Sequence, residues 1–180
     1  AAKAGMEYRP RADGQTFVAI VSTLLVTLAL SKALGTERIT SLLIGVGTAI
    51  CGGSAIAAVA PAIGAKSHQT SVALAVVFLL NAVALVVFPP IGHALELSPN
   101  AFGLWSALAI HDTSSVVGAS MQFGETALQV GTTVKLTRAL WIVPLTLVLS
   151  RLVKSEDGKK ETKKPWFILG FLVMAALVTW

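Results

Sequence analysis

Apolar residues run through this chain in six blocks, at residues 16–34, 40–63, 71–91, 101–123, 132–152 and 166–180, with short polar stretches between them. Inside a block the apolar positions are nearly continuous and do not keep to one helical face. That pattern predicts helices with apolar surroundings on every side. A hydrocarbon core about 30 Å thick takes roughly 20 residues of helix, a length that the first five blocks meet. The sixth, from Pro165 to the end, is too short for an upright span. The expected fold is all-α, a polytopic membrane bundle forming a single membrane domain over residues 1–180. The chain opens on "AAKAGMEY" and closes inside an apolar block, so it is expected to be a fragment of a longer protein.

Two blocks depart from a plain span. The second carries glycines at 45, 47, 52 and 53 and a proline at 61, residues that loosen or interrupt a helix. Irregular backbone at membrane depth survives only where it is buried in protein or lines a cavity, so a broken helix is expected near Gly52–Gly53. In the fifth block, Pro144 removes the bond to the Leu140 carbonyl and predicts a kink there. A faint internal echo aligns "AICGGSAIAA" from Ala49 with "AIHDTSSVVG" from Ala109. Repeats with discontinuous helices are common in transporters.

Composition agrees with a membrane location. The chain is 54% hydrophobic and 13% charged, against roughly a quarter charged in soluble domains. Its net charge of +5 falls mostly in segments between apolar blocks, where topology accounts for it and nucleic acid is not needed. The stretch at 151–164 holds six Lys or Arg against three acids, whereas "GHALELSPN" holds no Lys or Arg. The positive-inside bias therefore puts the loop at 151–164 in the cytoplasm. Counting back by alternate spans puts "SKALGTERIT" on the same side, with "GAKSHQT" and the N-terminal stretch outside, although Lys3, Arg9 and Arg11 pull the other way. A lone Cys51 forms no intrachain disulfide, and three histidines with one cysteine make no metal cluster. No metal or cofactor is expected, and no phosphate loop or nucleophile elbow is present.

Candidate chemistry lies in the fourth and fifth blocks. A helical rise of 1.5 Å puts His111 and Asp112 about 15 Å into their block, near the bilayer midplane. Asp at the centre of a span costs roughly 2.5–3.5 kcal/mol on insertion scales, so it faces a partner or a wet cavity. One reading makes Asp112 a structural anchor, hydrogen-bonded by Thr113, Ser114 and Ser115. The other makes it a proton-coupling or charge-balancing carboxylate, with His111 as a second titrating group or as a packing residue. Lys135 and Arg138, at i and i+3, share a helix face. Lys135 is close enough to the block's end to snorkel, whereas Arg138 sits a turn deeper, and together they suit an anion. If the upstream helix breaks at Gly52–Gly53, the half-helix from Ser54 offers free N–H groups and a positive dipole end to the same anion. Alternatively, the glycines serve only close helix packing. Asn81 can bond across helices, while His93, Glu96, Trp105, Trp141 and Trp166 read as packing or interfacial residues.

The succession "LLIGVGTAICGGSAIAAVAPAI", "NAVALVVFPPIGH", "FGLWSALAIHDTSSVVGAS", "TTVKLTRALWIVPLTLV" resembles the YeiH-like family of bacterial inner-membrane proteins, described as sulfate exporters. The resemblance runs from about Lys3 to "KKPWFILGF" and covers nearly the whole chain. It implies a multi-pass protein of the bacterial inner membrane, with an inverted-repeat, two-bundle transporter fold of which this chain is the middle portion. It implies secondary transport without settling the substrate; the two positive charges of Lys135 and Arg138 suit a small inorganic anion, sulfate or a related sulfur oxyanion, and Asp112 then either balances that charge or carries a proton with His111. The family's "ICGGSA" falls on Ile50 to Ala55, its "IHD" on Ile110 to Asp112 and its "KLTR" on Lys135 to Arg138. Gly52, Gly53, Ser54, Lys135 and Arg138 are then the expected substrate-binding residues, and His111 and Asp112 the coupling or balancing ones. The alternatives are a cation–proton antiporter using Asp112 and a passive anion channel. An enzyme is not expected, because an intramembrane aspartyl protease needs two deep carboxylates. The expected partners are the anion and the lipid bilayer, with a homodimer left open.

Overall fold

The computed structural model describes residues 9–153, and every regular element among them is helical. The block at 166–180, Trp166 and nearly all of the loop at 151–164 lie outside the described residues. In chain order the helices are α1 (Arg9–Leu34), α2 (Arg38–Ala49), α3 (Gly53–Ala62), α4 (Ser67–Ala94), α5 (Pro99–Ala109), α6 (Thr113–Phe123), α7 (Glu125–Ala139) and α8 (Ile142–Leu152).

Three stretches are long and apolar enough to cross a membrane: Thr16–Leu34, Ser67–Ala94 and Glu125–Leu152. The last is interrupted at Leu140–Trp141, at the expected kink. Pro144 cannot donate to the Leu140 carbonyl, so the helix restarts with the proline in the first turn of α8, where its missing N–H is not needed.

The other two long blocks are not spans, which corrects the expectation of five. At 12 and 10 residues, α2 and α3 reach only about 18 and 15 Å, and they fold back on each other. A Cβ on Gly47 would lie 2.9 Å from Ile56 Cδ1, across the turn. At the open end, Glu37 before α2 accepts a hydrogen bond from Gln69 in the first turn of α4 and lies 3.8 Å from His68. The block at 40–63 is thus a re-entrant pair, hairpin A, that leaves where it entered. "GAKSHQT" therefore lies at the same end as "SKALGTERIT", not across the membrane from it.

The block at 101–123 repeats the design. Ile110, His111 and Asp112 fall outside any helix, Ser106 Oγ meets Ser120 Oγ at 2.9 Å, and the Phe102 and Phe123 rings stack at 3.9 Å. This is hairpin B. The two breaks, between Ala49 and Gly53 and between Ala109 and Thr113, fall at matching places in the sequence echo.

Helix α4 orders the two hairpins. Its 28 residues span about 42 Å. Gln69, at its start, ties to the base of hairpin A. At its far end Gly92 is so close to Phe102 and Phe123 that a Cβ would lie 2.4 and 2.9 Å from their rings, and His93 stacks on Phe123 at 4.2 Å. The hairpins therefore enter from opposite ends of α4, and their tips meet between: a Cβ on Gly52 would lie 3.4 Å from Asp112 Cα.

Hairpin A is held by an apolar core in which Leu43, Val46, Ile56 and Val59 pack with Ile20 of α1, Val77 of α4 and Leu149 of α8. Hairpin B has a smaller core of Ala107, Val116 and Ala119 with Ala84 of α4. It relies on close approach: a Cβ on Gly103 would stand 2.6 Å from the Ala127 carbonyl oxygen of α7. Small residues that let backbones touch are the usual packing device where lipid gives no hydrophobic drive.

Candidate functional site

The meeting of the tips brings four half-helix ends together: the C-termini of α2 and α5 and the N-termini of α3 and α6. Each C-terminus presents unpaired carbonyls and a partial negative charge, and each N-terminus unpaired N–H groups and a partial positive one. The side chains gathered there answer these ends one by one.

Arg138 answers both C-termini. Its Nη2 donates to the Ala49 carbonyl of α2, and its Nη1 donates to Ala107 and Leu108 of α5 at 3.3 and 3.0 Å. Lys135, one turn earlier on α7, donates through Nζ to the carbonyls of Ile110 at 2.7 Å and Ala107 at 3.4 Å. Arg138 is 2% exposed and Lys135 fully buried, so the snorkelling expected of Lys135 does not occur. Among the described residues no carboxylate forms an ion pair with either cation. Both charges instead sit against the negative ends of half-helices, which is where such charges are stabilised.

Asp112 answers the N-terminus of α6. It lies in extended conformation as the N-cap, and its Oδ2 accepts from the Ser114 and Ser115 backbone N–H groups at 3.0 and 3.4 Å and from the Ser114 hydroxyl. Asp112 and His111 are therefore not mid-helix residues, as the continuous block suggests; they form the turn of hairpin B. Near mid-membrane depth they remain, because Asn81, midway along α4, accepts the backbone N–H groups of His111 and Asp112 on its Oδ1 at 3.0 and 3.1 Å. Asn81 is 4% exposed.

The N-terminus of α3 has no charged answer; only the Cys51 thiol meets it, accepting from the Ser54 hydroxyl and the Ala55 backbone N–H. Its N-cap is Gly52, at φ +68° and ψ −127°, with no side-chain cap. The half-helix starts at Gly53, so Ser54 stands inside the first turn with an exposed side chain and is not the cap expected of it. Gly53 packs under Phe78, whose Cζ would lie 2.8 Å from a Cβ there. Pro61 interrupts nothing; it lies in the last turn of α3.

Of the sequence-predicted residues, Gly52, His111, Asp112, Lys135 and Arg138 meet at the tips, whereas Gly53 packs under Phe78 and Ser54 is exposed. Gly52 touches Asp112, and Arg138 binds the helix that ends just before Gly52. Asn81, expected to bond across helices, does so at the turn of hairpin B; what sequence reasoning missed is the Ser106–Ser120 contact. The signal for Asn81 was a lone carboxamide in the middle of the apolar run "VVFLLNAVALVVF". No group of three or more metal-ligating side chains occurs among the described residues. Trp105 stacks on Phe88 at 4.3 Å and Trp141 lies 5.7 Å from Phe17, so both have packing contacts.

Helices long enough to span, paired re-entrant hairpins and ionisable groups at mid-depth define a helical membrane protein. The family is shown directly: the chain belongs to the family described as conserved hypothetical protein 698, whose model matches residues 11–180. UPF0324 membrane protein Bd1437 of Bdellovibrio bacteriovorus is 64% identical over 171 residues, covering 93% of this chain and 53% of the relative. UPF0324 membrane protein GSU2818 of Geobacter sulfurreducens is 57% identical over 162 residues, covering 90% and 51%. A UPF0324 membrane protein of Porphyromonas gingivalis is 57% identical over 171 residues, covering 93% and 52%. The chain spans about half the length of these relatives. No solved structure matches it.

Proposed function

We propose that this chain is the anion-binding core of a secondary transporter of the bacterial inner membrane, carrying a small inorganic anion such as sulfate or a related sulfur oxyanion. One observation carries the reading. Of four half-helix ends at the junction, three are met by side chains of opposite charge, two by Lys135 and Arg138 and one by Asp112, and the fourth, at Gly53 and Ser54, is met by none. Two buried positive charges against one carboxylate leave the junction short of an anion, and a helix N-terminus met only by the Cys51 thiol, with no charged side chain of its own, is where an anion binds. In this reading Lys135 and Arg138 set the local potential and hold the tips rather than coordinate the solute. Asp112, touching Gly52, competes with the solute for the same positive ends, so proton uptake by Asp112 or His111 accompanies anion binding. That competition is the physical form of proton coupling.

With the loop at 151–164 in the cytoplasm, three spans put the base of hairpin A, with Lys32, Arg38, Lys66 and His68, on the cytoplasmic side. "GHALELSPN" and the base of hairpin B then face outward. This arrangement keeps Lys32, Arg38 and Lys66 inside, as the positive-inside bias asks, while Arg9 and Arg11 at the start of α1 fall outside. Opposed hairpins also suit the inverted-repeat transporter fold.

The test is Ser54→Asp in the full-length protein, assayed for sulfate flux in proteoliposomes. A carboxylate in the first turn of α3 occupies the open end and stabilises the helix by about 0.5 kcal/mol. Flux should vanish while the protein stays folded; undiminished flux sinks the assignment.

A second reading, cation–proton antiport at Asp112, draws on its half-buried carboxylate, which takes all its hydrogen bonds through Oδ2 and keeps Oδ1 available. The sign of the charge moved under opposite imposed potentials separates it from anion transport. A passive channel would show no saturable counterflow of labelled sulfate.

A further inference from the structure

Beside the turn of hairpin B lies a cavity of about 230 Å³ between α4 and α5, bordered by Asn81, Ala84, Phe88, Ile110 and His111 among others. Two side-chain polar atoms of its border are buried without a hydrogen-bond partner: Asn81 Nδ2 and His111 Nδ1. Unpaired buried polar atoms cost about 1–3 kcal/mol each, and two on one cavity point to a guest that pairs with them.

The carboxamide has a divided task. Its Oδ1 is committed to the His111 and Asp112 backbone N–H groups, which fixes the way the amide faces and leaves Nδ2 as a donor with no protein acceptor. The electrostatic setting has one sign. Ile110, which borders the cavity, is the residue whose carbonyl holds the Lys135 ammonium, and Leu108, two residues earlier, holds Arg138. A donor without an acceptor, in the field of two cations that no carboxylate pairs, suits a hydrogen-bond-accepting anion. A cavity of this volume is several times the roughly 30 Å³ that one water occupies in the liquid, so it has room for a tetrahedral oxyanion.

We propose that Asn81 is a solute-contacting residue: its Nδ2, with the His111 ring, holds an oxyanion in the α4–α5 cavity, a station separate from the open end of α3. The inference rests on the anion-transport reading and adds to it a ligand that also anchors hairpin B, so that solute binding and the position of the tip are read by one side chain.

The experiment is sulfate uptake by the full-length protein in proteoliposomes, with each variant normalised to the unsubstituted protein at the same pH. Asn81→Asp keeps an acceptor for the two backbone N–H groups and replaces the Nδ2 donor by a carboxylate oxygen. Its KM should rise by about tenfold or more near pH 7.5, the loss of one charge-assisted hydrogen bond. It should recover only as pH falls below about 4, where the new carboxyl carries a proton and donates again. An unchanged KM and pH profile overturns the proposal. Ala84→Phe fills the cavity without touching the Oδ1 bonds; it should raise KM by a similar factor, and wild-type KM in this variant overturns the proposal even if Asn81→Asp fails to fold. Loss of flux in Ser54→Asp together with unchanged Asn81→Asp and Ala84→Phe would remove this station and leave the anion reading standing. Undiminished flux in Ser54→Asp would remove the reading itself.

Discussion

Hairpins A and B share a design and differ in how their turns are made. Each pairs two half-helices too short to cross a bilayer, each turns over three residues, and each ends its first half against a cation from α7. Hairpin A turns through glycine, with Gly52 at φ +68°, and gives the following helix no charged cap, only the Cys51 thiol. Hairpin B turns through Ile110, His111 and Asp112, caps the following helix with a carboxylate in extended conformation and is pinned to α4 by Asn81. Their surroundings differ in the same sense. Hairpin A lies in the larger apolar core, with Ile50 and Cys51 of its tip buried, while His111 and Asp112 are half-buried beside a cavity. The lesson is that one topology can be closed by packing at one tip and by polar contacts at the other, and that chemistry gathers where polar groups have been admitted.

Arg138 is the shared element, and its loss should produce the largest effect. Arg138→Leu leaves the Ala49 and Leu108 carbonyls, one at each tip, without their donor and should cost about 3 kcal/mol or more in the thermal unfolding of the purified full-length protein. Arg138→Lys should fall between, because one ammonium does not replace a guanidinium that forks to two helices. Equal stability of Arg138→Leu and the unsubstituted protein would mean that the tips are held by something else.

The turn substitutions come next and should separate the hairpins. Gly52→Ala forces a Cβ into a left-handed conformation and should cost about 1–3 kcal/mol. The matching position in hairpin B, Asp112, has an ordinary extended backbone, and Asp112→Asn keeps a good N-cap, so its stability cost should be only a few tenths of a kcal/mol. Transport should reverse this order of sensitivity to pH: Asp112→Asn should flatten the pH dependence of sulfate flux, whereas the remaining activity of Gly52→Ala should follow the unsubstituted profile.

The smallest effect is expected at the base of hairpin A, outside the spanning segments. The Glu37 carboxyl is held below its ordinary value of 4.5, first by the Gln69 amide and then by the Thr40 hydroxyl. A lowered folded-state value means that this contact contributes stability above about pH 4.5, and that the contribution is lost as pH falls through the folded value. The thermal stability of Glu37→Gln should lie slightly below that of the unsubstituted protein at neutral pH, and the gap should close under acid. A gap that widens under acid would contradict the contact.

Much of this architecture is legible in the sequence, for identifiable reasons. Membrane residence, the break at Gly52–Gly53 and the kink before Pro144 follow from composition and from what Gly and Pro do to backbone. The second break is hidden because hydropathy treats the block at 101–123 as long enough to span, whether or not it turns in the middle. Its signature is nevertheless present in "IHDTSS": an Asp followed by Thr, Ser and Ser is a helix start. The alignment of "AICGG" with "AIHDT" is too short to carry weight by itself, yet both breaks fall inside it. The partners of Lys135 and Arg138 lie beyond sequence, because carbonyl acceptors belong to the backbone and leave no trace in residue type.

The central claim is that the blocks at 40–63 and 101–123 are hairpins entering from opposite sides. Single cysteines at Gly35, Ala65 and Leu97, introduced into full-length protein carrying Cys51→Ser and labelled in oriented membrane vesicles with a membrane-impermeant maleimide, test it directly. Opposed hairpins predict that positions 35 and 65 react from the same side and position 97 from the other. Reaction of positions 35 and 65 from opposite sides would make the second block a span and contradict the account.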